Sequence, residues 1–71
     1  MTVKEAVEGV EYQISGIETD DEELEAFLFS LGCYSGERIT VVIRLKKSCI
    51  VTIKDARYNI DDQLASAIRI G

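Results

Sequence analysis

The chain has 71 residues, of which 46% are hydrophobic and 30% are charged, and its formal net charge is −5. This balance is typical of a small folded protein, and we expect a single domain over residues 1–71. No apolar run approaches the roughly 20 residues that a membrane-spanning helix needs, and no signal-peptide pattern precedes Glu5. We therefore predict a cytoplasmic protein that does not insert directly into a membrane.

The charge is divided unevenly along the chain. Residues 1–37 carry ten acids and one base, whereas residues 38–71 carry seven bases and three acids. An acidic chain lacks the dense positive charge with which proteins bind the phosphate backbone, so we expect no nucleic-acid partner. The two halves have complementary charge, which leaves self-association open and predicts that salt would weaken it.

The first predicted element is a strand over residues 9–17. Val10, Tyr12 and Ile14 alternate with polar residues, which is the period-2 pattern of a half-buried strand. Gly16 interrupts the pattern and indicates a bulge or bend.

A helix is predicted next. Apolar residues recur with helical spacing on one face: Leu24, Phe27, Leu28 and Leu31. Two capping boxes fit its start, Thr19 with Glu22 or Asp20 with Glu23. Gly32 suits the C-terminal cap because glycine adopts a positive φ at little cost.

The second half of the chain is predicted to be mostly strand. Residues 37–45 and 49–55 alternate on either side of a short turn, which indicates a β-hairpin. Leu45 and Cys49 belong to the apolar side of this alternation, and the side chains predicted to face inward are Ile39, Val41, Ile43, Val51 and Ile53. Those predicted to face outward are Arg38, Thr40, Arg44, Thr52 and Lys54. A tight turn at residues 55–56, a short strand, an Asp-capped turn of helix and a last strand with Ile68 and Ile70 complete the order.

Cys33 and Cys49 are too few for a disulfide scaffold, and their spacing matches no standard zinc motif. We expect both to be reduced residues in or near the core, with a disulfide between them as the alternative.

Five short strands are too few for a two-layer sandwich, but they can curl into a barrel that removes exposed sheet edges. The predicted fold class is mainly β with one α-helix. It is a small SH3-like β-barrel of about five strands, with the helix between strands 1 and 2.

The order and spacing of these residues resemble the FeoA family of small SH3-like domains, from about Val10 to Ile70. The resemblance begins with Leu-Gly at the helix end, a second glycine and a Val/Ile-rich strand, here Leu31, Gly32, Gly36, Ile39, Val41 and Val42. It closes with Tyr58, Ile60, Leu64, Ala65, Ile68 and Ile70. The chain departs from the family at Ser35, where proline is frequent, and in two loops that lack a glycine.

The resemblance implies a non-enzymatic accessory protein of bacterial ferrous-iron uptake. Such a protein binds the cytoplasmic part of the FeoB transporter, which includes a GTP-binding domain. Two alternatives stay open: a metal-sensing regulatory SH3-like domain, and a generic small-barrel adaptor unrelated to iron.

No catalytic, cofactor-binding or metal site is predicted. The chain has no histidine, and neither its cysteines nor its serines have a recognisable base partner. The carboxylates of residues 18–25 are interpreted as helix capping and solubility rather than as iron ligands, because transition-metal sites usually combine histidines or clustered cysteines.

Protein binding is the activity that the surface is predicted to have. Outward-facing bases on the hairpin would steer an acidic partner, and exposed aromatics near the helix end would anchor it. The predicted partner-binding residues are Phe29, Tyr34, Arg38, Val42, Arg44, Lys46, Lys47 and Lys54.

Overall fold

The computed structural model describes all residues from 1 to 71. A 3₁₀ turn (Val3–Glu5) precedes β1 (Glu11–Ile17), α1 (Glu22–Ser30), β2 (Arg38–Arg44), β3 (Ser48–Ile53), β4 (Ala56–Asp61), α2 (Asp62–Ala67) and β5 (Ile68–Ile70). The strands form one antiparallel sheet in the order β4-β3-β2-β1-β5. The predicted class, mainly β with one main helix between strands 1 and 2, is confirmed.

The core is a single cluster of 15 buried residues, all of them hydrophobic. Cys49, Val51 and Ile53 of β3 are fully buried, as their alternation predicted. Cys33 and Cys49 are both buried free thiols, so the expectation of reduced core cysteines is confirmed and the disulfide alternative is wrong.

The start of α1 differs from both predicted capping boxes. Asp21 is the N-cap, and its Oδ1 accepts hydrogen bonds from the backbone N–H groups of Glu23 (3.0 Å) and Leu24 (3.1 Å). Thr19 Oγ1 instead accepts from the Asp21 N–H at 3.1 Å. Thr, Asp and Asp stand in succession here, and any of them can cap, so spacing alone does not select the one that is used.

The buried face of α1 is narrower than its spacing predicted. Leu28 is fully buried and Leu24 and Leu31 are half-buried against the core, but Phe27 is 49% exposed. At 3.6 residues per turn, Phe27 lies about 60° to one side of Leu24. The small barrel covers only a narrow stripe of the helix, and Phe27 falls outside that stripe.

The end of α1 is the Schellman motif that Gly32 predicted. The N–H of Cys33 donates to the Leu28 carbonyl (3.1 Å), and the N–H of Gly32 donates to the Phe29 carbonyl (3.0 Å). Gly32 has φ 97°, a left-handed conformation that a Cβ would strain. The chain therefore reverses sharply and returns to the barrel.

A β-bulge in β2 changes the predicted pattern of the hairpin. Val41 pairs with Val51 but Ile43 pairs with Ile50, so Val42 is an extra residue. Beyond it the alternation is inverted: Ile43 was predicted to face inward but is 48% exposed, and Leu45, on the same side of the predicted alternation, is 45% exposed.

Arg44 changes sides for the same reason. It was predicted to face outward, but it lies opposite the buried Cys49 and is half-buried. The run of β-branched residues that precedes it fits either register, so the alternation of residues 37–45 does not locate the bulge.

Other predicted features hold with small shifts. The β1–β5 register slips between Ile14 and Gly16, which confirms the predicted bulge. The tight turn after β3 is centred on Lys54 (φ 51°) and Asp55 (φ 69°), one residue earlier than predicted. Asp61 caps α2 by accepting from the Leu64 N–H at 2.9 Å, as predicted for an Asp-capped turn.

Candidate docking surface

Two exposed aromatic rings stack at the end of α1. The ring centroids of Phe29 and Tyr34 are 5.4 Å apart, and the ring planes differ by 6°. Phe29 is 37% exposed, as its off-axis position predicted, and Tyr34 is 49% exposed. The rings meet because the Schellman turn at Gly32 reverses the chain between them.

Lys54 joins this stack from the β3–β4 turn. Its Nζ lies 5.7 Å from the Tyr34 ring centroid and 3.4 Å from Glu37 Oε1. The lysine stem passes close to Gly32, since a Cβ built there would be 3.6 Å from Lys54 Cδ. We call Phe29, Tyr34 and Lys54 the aromatic platform.

The loop that bears Tyr34 is fixed to β1 at its far end. The Gly36 N–H donates to the Ile14 carbonyl, and the Ile14 N–H donates to the Glu37 carbonyl, each at 2.7 Å. Gly36 has φ 95° and turns the chain into β2, as its position after the helix predicted. The platform is therefore held at both ends by backbone hydrogen bonds.

An open polar groove of about 600 Å³ adjoins the platform on the outer face of the sheet. It is lined by Glu11, Gly36, Glu37, Arg38, Thr40, Thr52, Lys54, Asp55 and Arg57. Strand register places four of these in a row across four strands, in the order Glu11, Thr40, Thr52 and Arg57. The groove is thus a polar surface with fixed charges of both signs.

Arg38 lies in this groove, where its Nη1 is 3.0 Å from Glu11 Oε1. Both side chains are largely exposed, so the pair contributes about 0–1 kcal/mol and exchanges readily for another partner.

The other predicted residues lie at the opposite end of β2. Val42, Lys46 and Lys47 stand at or near the β2–β3 turn, beside the exposed Ile43 and Leu45. About 20 Å separates the two ends of this strand, from six steps of roughly 3.3 Å. The predicted set therefore forms two surfaces rather than one.

Arg44 has a structural contact at that opposite end. Its Nη2 donates to the carbonyls of Val3 (3.1 Å) and Ala6 (2.7 Å), and its N–H donates to the Glu8 carboxylate. The guanidinium holds the N-terminal turn against the barrel, which leaves fewer donors for a partner than an exposed arginine has.

Thr40 and Thr52 were expected on the outer face of the hairpin but not among the binding residues, and Glu37 and Arg57 were not predicted for this surface. A two-residue turn at Lys54–Asp55 fixes Thr52 opposite Arg57, so locating that turn correctly would have revealed the row.

No group of three or more Cys, Asp or Glu side chains is arranged to hold a metal ion. No helix has the length and apolar character needed to cross a membrane.

One comparison with known proteins identifies the family. The FeoA domain model matches residues 1–70. No match was found among curated protein sequences.

Solved structures give the same answer for the fold. One similar structure is a crystal structure of an iron uptake regulatory protein, FeoA, whose sequence is 20% identical to this chain. The two structures superpose with a TM-score of 0.87 over 99% of this chain and 96% of that one. FeoA from Stenotrophomonas maltophilia, solved with zinc and described as a prokaryotic SH3-domain protein, is 16% identical with a TM-score of 0.91, covering 100% and 89%.

A manganese-dependent transcriptional repressor is also similar, with 19% identity and a TM-score of 0.90 over 99% of this chain but only 40% of the repressor. The likeness to the repressor is one of fold. The family match over residues 1–70, on a five-stranded barrel of this shape, shows that the chain belongs to the FeoA family and has its SH3-like fold.

Proposed function

We propose that this chain is a non-enzymatic accessory protein of bacterial ferrous-iron uptake that binds the cytoplasmic part of the FeoB transporter. Family membership supports the link to iron uptake. One structural neighbour is named an iron uptake regulatory protein, and another is described as a candidate ferrous iron transport activating factor. The observation that carries the docking proposal is the exposed stack of Phe29 on Tyr34.

The platform has the physical properties of a docking anchor. Aromatic side chains supply a large contact area, and they dominate the energetics of many interfaces. Phe29 and Tyr34 already restrain each other by stacking, so binding costs little further side-chain entropy. Lys54 adds a cation at the rim, and its exposed pairing with Glu37 is weak enough to exchange for a carboxylate of the transporter.

The groove extends this anchor with polar contacts. Thr40 and Thr52 offer hydroxyls at its centre, and Arg57 has no ion pair within the chain. Charges at a rim mainly raise the association rate and select partners. We assign the groove to orientation of the partner and the platform to affinity.

The two thiols do not supply a nucleophile at neutral pH. Burial raises the pKa of Cys33 to about 11, and burial also raises the pKa of Cys49. A thiol that remains protonated is a poor nucleophile and a poor metal ligand. This agrees with a protein that acts by binding.

The proposal is tested by measuring binding of the purified chain to the cytoplasmic region of FeoB, with GDP and with a GTP analogue. Tyr34→Ala and Phe29→Ala are each expected to weaken binding at least tenfold, which corresponds to about 1.4 kcal/mol. Phe27→Ala is the matched control, because Phe27 is an exposed phenylalanine on the same helix as Phe29 but does not belong to the stack.

Absence of binding in both nucleotide states would overturn the proposed function. Equal losses of affinity in Phe27→Ala and Tyr34→Ala would support FeoB as the partner but would show that the aromatic platform is not the anchor.

A further inference from the structure

The outer edge of β4 is the uncovered edge of the sheet. β4 stands last in the strand order and pairs only with β3. The other end of the sheet is covered, because Thr2 forms a β-bridge with Arg69 and the Ile70 N–H donates to the Met1 carbonyl at 2.9 Å. An edge strand with unpaired backbone groups is a template for another strand.

The register of the hairpin determines which backbone groups of β4 are free. Ile53 and Ala56 flank the two-residue turn and form its closing pair, and hydrogen-bonded pairs then alternate along the ladder. Arg57, Asn59 and Asp61 consequently direct their backbone N–H groups away from β3. Arg57 and Asn59 direct their carbonyls outward as well, whereas the Asp61 carbonyl lies at the start of α2.

The side chains of these three residues are exposed, and Arg57 and Asp61 carry opposite charges at equal distances from Asn59. Arg57 precedes Asn59 by two positions and Asp61 follows it by two. If a second copy of β4 ran antiparallel with Asn59 opposite Asn59, each Arg57 would lie directly opposite an Asp61. Arg57 makes no salt bridge within the chain, so its charge is available.

We infer that two copies of this chain pair antiparallel through β4, with the two-fold axis at Asn59. The pairing makes four backbone hydrogen bonds: two between the Asn59 residues and two from Asp61 N–H groups to Arg57 carbonyls. Opposite charges that face each other across strands add about 0.2–1 kcal/mol for each pair. The interface is self-complementary, as a two-fold axis requires.

The inner face of β4 is compatible with this pairing. Tyr58 is half-buried and Ile60 is fully buried in the chain alone. In the paired register Tyr58 lies opposite Ile60 of the second copy, so these two positions place no charged side chain at the interface. The contact is short, so we expect a weak and concentration-dependent dimer.

The test is the molecular mass of the intact chain by analytical ultracentrifugation, up to about 1 mM protein, where a dissociation constant of 1 mM still gives substantial dimer. The chain has a mass of 7.9 kDa, and the mass is expected to rise toward twice this value with concentration. Asn59→Pro is expected to remain monomeric, because proline removes an outward N–H but no hydrogen bond to β3.

A second variant keeps the test independent of how proline affects folding. Arg57→Glu replaces two attractions with two repulsions and is expected to weaken dimerisation at least tenfold. Lys46→Glu makes the same change of charge at an exposed position away from β4, and it is expected to dimerise as the unmodified chain does.

Amide hydrogen exchange identifies the surface. Protection of the Asn59 N–H is expected to increase with protein concentration. A chain that stays monomeric throughout would overturn the inference, and so would a dimer in which the Asn59 N–H remains unprotected or Arg57→Glu has no effect.

Discussion

Cys33 illustrates how burial alone determines the chemistry of a side chain. It is fully buried next to the cap of α1, and loss of hydration raises the pKa of its thiol to about 11. Cys49 follows the same rule: burial raises its pKa even though the nearby Arg44 guanidinium lowers it. Both thiols therefore act as small apolar residues of the core.

The raised pKa of the Cys33 thiol leads us to expect a loss of stability at high pH. Its pKa is higher in the folded protein than the ordinary value of 9.0, so unfolding releases a proton once the pH exceeds that value. The stabilisation is complete below about pH 9 and is lost as the pH rises toward 11, by about 1–2 kcal/mol. Urea unfolding between pH 7 and pH 11 measures it.

Cys33→Ala is the control for this dependence. The variant is less stable at every pH because it leaves a cavity, but its free energy of unfolding should decline less between pH 9 and pH 11. Parallel curves for the two proteins would contradict the assignment.

At the scale of elements, the C-terminal end of α1 controls the geometry of the aromatic platform. The left-handed Gly32 closes the helix and directs the chain so that Tyr34 returns over Phe29. A Cβ at Gly32 would meet its nearest atoms at 3.6 Å, which is ordinary van der Waals contact. The requirement for glycine is therefore one of backbone conformation rather than of space.

Gly32→Ala is expected to lower the free energy of unfolding by about 1–2 kcal/mol through backbone strain. Gly32→Asn should cost less, since asparagine tolerates the left-handed region better. Chemical denaturation of both variants measures the difference. Equal stabilities for the two variants, or no loss of stability in either, would contradict the assignment to backbone strain.

Some features of the helices and strands could be predicted from the sequence, and others could not. Gly32 marked the end of α1, and the alternation of Cys49, Val51 and Ile53 marked the buried face of β3. The bulge at Val42 was not predictable, because a continuous run of β-branched residues fits either register. Burial of Val3 was also missed, since one apolar residue near the start of a chain forms no pattern.

The candidate site was predictable in part for similar reasons. The exposure of Phe29 followed from its helical position, but its stacking on Tyr34 depends on a turn between them that spacing does not describe. The placement of Arg44 against the N-terminal turn depends on the same bulge at Val42.

At the scale of the whole molecule, part of the uneven charge of the chain is paired within one copy. Every salt bridge joins an acid from residues 1–37 to a base from residues 38–71: Glu11 with Arg38, Glu37 with Lys54, and Glu18 with Arg69. The remaining charges stay on the surface of the two halves. The association that we propose depends on local features, namely the aromatic platform for a transporter and the β4 edge for a second copy.

The barrel thus has two ends with different properties. One bears the aromatic platform and the polar groove, and the other bears the β2–β3 turn with Lys46 and Lys47. The central claim is that the first end meets the transporter.

The most direct test is an NMR titration of the isotope-labelled chain with the unlabelled cytoplasmic region of FeoB. The account predicts that the largest changes in chemical shift and linewidth occur at residues 29–37 and at Lys54, with small changes at residues 42–47. Changes confined to residues 42–47, or a spectrum that does not change at saturating transporter domain, would contradict it.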